Sequence, residues 1–234
     1  MPLTETHVLI STAAFVAFFH TLIGPDHYLV FVALGKARNW SLSKTLKYTS
    51  LCGIGHIMSS IIIGMIGIFL GIELIKLVNL EESRGIISGW ALLFFGFVYF
   101  VWGLRKSNQQ NLHKKFDKYK EEDIHKNDKD RLLLKQTKER FNFTPWAVFI
   151  IFVLGPCEAL IPLFMYPAIE TNMKLVILIA LVFGIVTLVT MLIAVFVVMK
   201  GLQFVQFNSI EKYSHAIAGA SIMMCAFVIN FVGL

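Results

Sequence analysis

The chain has 234 residues, 56% of them hydrophobic and 15% charged, with a mean hydropathy of +0.70. Soluble domains run nearer about 45–50% apolar, so this balance excludes a soluble globular domain and predicts an all-α integral membrane protein. The net charge of +6 lies mostly in loops, where it reports topology rather than nucleic-acid binding.

In chain order, the opening MPLTETHVLI lacks the basic start and cleavage site of a signal peptide, so the first apolar run is expected to remain as a span. Six apolar segments lie near 8–36, 43–72, 84–104, 144–169, 172–199 and 212–233. Each reaches the ~20 residues that cross a bilayer.

The first segment is interrupted by Gly24-Pro25, followed at once by Asp26 and His27, with His20 one turn before. Proline removes a backbone donor and clashes with the preceding turn, and glycine relaxes the chain beside it, so a helix break is predicted. Such a break is tolerated in a bilayer where it is buried or lines a cavity. A charged Asp at that depth costs about 2.5–3.5 kcal/mol and demands a partner. No Lys or Arg is expected at comparable depth, which leaves a cation, a proton or an imidazole.

The second segment adds His56 in GIGHIMSS, with Cys52 one turn earlier on the same face and Ser59 one turn later. His56 alone also suits a helix–helix hydrogen bond. The third segment ends at a polar stretch, Arg105 to Asn142, holding twelve basic and seven acidic residues for a net of +5. Its two histidines, His113 and His125, are too few for a metal-rich tract, so it reads as a partly helical charged linker.

The fourth segment repeats the first: Gly155-Pro156 is followed by Cys157 and Glu158. The fifth places Thr187 and Thr190 where His56 and Ser59 fall in the second. The halves therefore read as two inverted three-helix repeats with broken helices 1 and 4, spanning 1–104 and 144–234, with a basic cytoplasmic linker at 105–143. Basic residues favour the first, third and fifth loops, which predicts a protein integral to the cytoplasmic (inner) membrane with the linker in the cytoplasm and both termini outside. Cys52, Cys157 and Cys225 are scattered and form no CxxC, so no disulfide framework is expected.

The run HTLIGPDHYLVFVAL, with GIGH about 20 residues later, resembles the urease-accessory-type branch of the nickel/cobalt membrane transporters. The matching positions are His20, Gly24, Pro25, Asp26, His27, Gly53, Gly55 and His56. The resemblance implies that they take part in metal selection and passage. The run LGPCEALIPLFMYPA is similar to the Pro-Cys core of the membrane electron carriers related to cytochrome-biogenesis and disulfide-reductase proteins. Those carriers pair two cysteines at symmetric sites, whereas the position matching Cys157 is here Asp26.

The expectation is a non-enzymatic transporter of a divalent transition-metal cation, nickel or cobalt first. His20, Asp26, His27 and His56 would bind the ion, and Glu158 and Cys157 would close the site. Cys52, Ser59, Thr187 and Thr190 would stand behind them. Imidazole and carboxylate suit such ions. No cofactor is expected beyond the transported ion. The partners are the lipid bilayer and the metal; self-association and a role beside metalloenzyme maturation stay open. Two alternatives are a thiol–disulfide electron carrier centred on Cys157 and an exporter of a small sulfur-containing anion.

Overall fold

Gly24-Pro25 does divide the first apolar run. A computed structural model of the protein describes residues 3–120, 143–155, 160–169, 172–202 and 211–232. Helix α1 (Leu3–Ile23) stops at Gly24, whose N–H still reaches the His20 carbonyl at 3.1 Å. Pro25 has no N–H to continue the ladder, and α2 (Asp26–Ala37) begins immediately after it. The break falls after a 21-residue helix, with a 12-residue helix beyond it.

Asn39, in the left-handed region at φ 52°, ends α2, and Trp40 donates back to the Gly35 carbonyl at 2.8 Å. Ser41 then caps α3 (Leu42–Phe69), its hydroxyl oxygen accepting from the Lys44 N–H. Gly71, at φ 64°, closes α3 in the same way, with Ile72 donating to the Gly67 carbonyl. Helix α4 (Leu74–Lys120) follows, 47 residues long.

This start corrects the sequence-based boundary of 84. Glu81 and Glu82, which that boundary leaves between segments, are helix residues; Glu81 and Arg84 stand at i and i+3 and neutralise one another. The linker's first part, 105 to 120, continues α4 as helix, in line with its expected partial helicity; 121–142, with His125, lie outside the described residues.

In the second half, α5 (Phe143–Leu154) and α6 (Leu160–Ile169) occupy the fourth apolar segment on either side of the second Gly-Pro site. Gly155 is a bend; Pro156, Cys157 and Glu158 lie outside the described residues. Helix α7 (Met173–Gly201) is capped by Asn172, which accepts from the Leu175 N–H at 3.2 Å. A short 3-10 turn (Glu211–Tyr213) leads into α8 (Ser214–Val232).

Among the described residues there is no strand, and the protein is an all-α integral membrane protein. Five helices are long and apolar enough to cross a bilayer: Glu5–Ile23, Leu42–Phe69, Leu74–Asn108, Met173–Gly201 and Ser214–Phe231. Their outer faces carry large apolar side chains such as Phe15, Ile62, Phe94 and Ile193, which contact the lipid bilayer.

Helix α1 packs on α7, α2 on α8 and α7, α3 on α7 and α5, and α4 on α8. The last pair packs most extensively. Gly89, Gly96 and Gly103 recur every seven residues along α4 where α8 approaches. A methyl at Gly96 would sit 2.7 Å from the Met223 backbone nitrogen, so only glycine admits this contact. The main core joins α2, α3, α4, α5, α7 and α8 through residues such as Phe31, Phe152, Met191 and Ile222. Cys52 belongs to this apolar core, away from the cavity wall described next.

Candidate metal site at the first helix break

The break and α3 together bring three imidazoles face to edge. His20 and His27 have ring centroids 5.0 Å apart, and His27 and His56 5.4 Å apart. One ring nitrogen from each of the three lies within 4.8 Å of the others. His20 comes from the last turn of α1, His27 from the first turn of α2, and His56 from the middle of α3. The proline break is what folds His27 back toward His20.

The ring orientations are fixed by backbone. His27 Nδ1 donates to the Gly24 carbonyl at 3.2 Å, and Asp26 Oδ1 lies 3.2 Å from the same nitrogen. His56 Nδ1 donates to the Phe152 carbonyl of α5 at 3.2 Å. A carbonyl can only accept, so the proton of each neutral ring sits on Nδ1 and its Nε2 carries a bare lone pair. The Nε2 atoms of His20, His27 and His56 are buried with no hydrogen-bond partner among the described residues. On His27 and His56 these atoms are buried acceptors without donors, and such atoms are costly unless a donor or a cation meets them. Backbone and carboxylate acceptors behind metal-binding imidazoles hold the tautomer in this manner.

Glycine is required at the break for space as well as for the turn. A methyl at Gly24 would meet His27 Nδ1 at 2.5 Å and Asp26 Oδ1 at 3.0 Å. Gly155 sits at the matching point of α5, where a methyl would come within 3.4 Å of His56 Nδ1.

The three histidines and Asp26 line one end of a cavity of about 610 Å³. Its wall continues along α4 and α8 through Glu82, Ser88 and Asn230. Such a volume accepts a cation with part of its hydration shell. Asp26 faces the cavity beside the histidine trio while its Oδ1 is turned to His27.

The remaining residues singled out in the sequence fall elsewhere. Ser59 lies behind His56 and donates to its carbonyl at 2.8 Å. Thr187 is fully buried with no partner for its hydroxyl among the described residues, and Thr190 donates to the Val186 carbonyl at 2.7 Å. Neither lines the cavity.

Arg84 corrects the expectation that no basic side chain reaches this depth. Its guanidinium, 13% exposed, pairs with Glu81, 1% exposed, and donates to Ser59 Oγ at 3.0 Å and the Val153 carbonyl at 2.9 Å. The signal was present in the sequence: Glu81 and Arg84 at i, i+3 just before a long apolar run. Arg84 is not part of the cavity wall, and its guanidinium is engaged by Glu81, Ser59 and the Val153 carbonyl. Phe152 carries no chemistry in its side chain; only its carbonyl matters, and a carbonyl leaves no mark in a sequence.

The family described as cytochrome C biogenesis protein transmembrane region matches residues 28–228. The chain belongs to this family. The match agrees with the resemblance of the second half to membrane electron carriers and extends it through most of the first half. It lends no support to the nickel/cobalt-transporter resemblance. It begins one residue after His27, so His20, Asp26 and His27 precede the matched region while His56, Cys157 and Glu158 lie inside it. No curated protein and no solved structure matches the chain.

Proposed function

We propose that the chain is a transporter that passes a divalent transition-metal cation, nickel or cobalt first, through a site made by His20, His27 and His56. The observation that carries this reading is the set of three buried, unpartnered Nε2 atoms on rings whose nitrogens lie within 4.8 Å. Three neutral imidazoles suit nickel, cobalt, copper and zinc, and leave open positions for water or a further ligand. Asp26 would hold His27 in its metal-binding tautomer, and Glu158 and Cys157, from the second break, would complete the shell.

The reading includes six spans in two inverted repeats, with α1–α2 and α5–α6 as the two broken ones. Support comes from contacts that recur with the halves exchanged: α1 on α7 as α5 on α3, and α2 on α8 as α6 on α4. Helices α3 with α7 and α4 with α8 would then flank the axis. Basic residues around the first, third and fifth loops put the linker in the cytoplasm of an inner-membrane protein and both termini outside. In that orientation Glu82, a lining residue two turns from the start of α4, would lie toward the outer side of the membrane.

The second reading, a thiol–disulfide electron carrier centred on Cys157, is the one the family match favours. It needs a partner thiol. Cys52 and Cys225 are both free and buried, and Cys52 lies in the apolar core.

Flux into sealed proteoliposomes, measured over a panel of divalent cations, tests the first reading. Wild type should pass nickel or cobalt, and Asp26→Asn and His27→Ala should lose most of that flux. Equal flux in all three proteins would remove it. A variant with Cys52 and Cys225 changed to Ser separates the readings: it keeps every residue of the ion shell, so cation transport should survive, whereas electron carriage, left without a partner thiol for Cys157, should not.

A further inference from the structure

We infer that Arg84, held by Glu81, is a positioning residue for His56. This deepens the cation reading and rests on it. Arg84 reaches His56 by two routes. In the first, Nη2 donates to Ser59 Oγ at 3.0 Å, and that hydroxyl donates onward to the His56 carbonyl at 2.8 Å. In the second, Nη2 donates to the Val153 carbonyl at 2.9 Å and lies 3.5 Å from the Gly155 carbonyl, in the turn where α5 ends. The Phe152 carbonyl, one residue before Val153, is the acceptor for His56 Nδ1.

One guanidinium thus ties down both the backbone of the ligand and the backbone that sets its tautomer. The end of α5 has carbonyls without intrahelical partners, and a cation there is favourable for the helix dipole as well. Glu81 makes the arrangement affordable: it pairs with Nη1 and accepts from Ser60 Oγ at 3.1 Å, which fixes the fork in one orientation. The planar fork serves two sides at once, with Nη1 on Glu81 and Nη2 on Ser59 and Val153, a task an ammonium group performs poorly. The pair brings α3, α4 and the broken end of α5 to one point without entering the cavity.

The test compares wild type with Arg84→Gln and Ser59→Ala in micelles, using two readouts. In the metal-free protein, ¹⁵N NMR of the imidazoles should report His56 in its Nδ1–H tautomer. Both variants should mix in the other tautomer at His56 while His20 and His27 keep their signals. With Co²⁺ added, Arg84→Gln should bind about 10–100-fold more weakly and Ser59→Ala about threefold more weakly, each with an altered visible spectrum. Unchanged His56 resonances in both folded variants would overturn the inference. Should Arg84→Gln fail to fold, the same result in Ser59→Ala alone overturns it. Absence of Co²⁺ binding in wild type, with His56 still responding to the variants, would retire the cation reading and leave the positioning role standing.

Discussion

His56 donates its Nδ1 proton to the carbonyl of Phe152, 96 positions later in the chain, across 3.2 Å. That single bond joins the middle of α3 to the last turn of α5 and leaves the opposite ring nitrogen bare toward the cavity. It also makes the setting of the imidazole trio dependent on both halves of the chain.

His56→Ala and His27→Ala should each weaken nickel or cobalt binding by about 100-fold or more, since removing a ligand costs more than disturbing the group behind it. Isothermal titration of the solubilised protein measures this, with circular dichroism to establish unchanged helix content. Near wild-type affinity in both variants would dismiss the imidazole trio as a site.

Gly24→Ala should disturb the same site without replacing a ligand. The added methyl meets His27 Nδ1 at 2.5 Å, so the ring must leave its position between Gly24 and Asp26. A loss of about tenfold in cobalt affinity is expected, the scale of a disturbed outer shell. Gly201→Ala, where nothing lies within 4 Å, serves as the control and should bind as wild type does.

Glu81→Ala should destabilise the protein by about 3–5 kcal/mol, because it strands the Arg84 charge among apolar and carbonyl groups. The double variant Glu81→Leu with Arg84→Met should recover much of that loss. Thermal unfolding in detergent measures both, and additive losses from the two sites would contradict the pairing.

Gly96→Leu should lower the Tm through overpacking worth about 1–3 kcal/mol, since even a methyl would contact the Met223 backbone nitrogen at 2.7 Å. An unchanged Tm would mean that α4 and α8 stand farther apart than described.

Much of this was legible in the residues. Apolar run length gave the membrane class and most helices, because a bilayer leaves the backbone few alternatives. Gly24-Pro25 announced the break, and the polar residues around it, with His56, pointed to one shared pocket. The start of α4 was not legible from hydropathy, since Glu81 and Arg84 look like loop charges until their pairing is seen. The Phe152 carbonyl could not have been named from sequence at all. The glycines at 89, 96 and 103 do carry a readable heptad, which marks the α8 contact once small residues are counted as an interface signal.

Helix α4 extends for 47 residues, about 70 Å, more than twice the thickness of the hydrocarbon layer. One stretch of it walls the cavity of the three histidines, and the same helix runs on into the charged segment. The α4 lining of that cavity and the start of the charged segment are therefore parts of one unbroken helix, which no hydrocarbon layer can enclose whole.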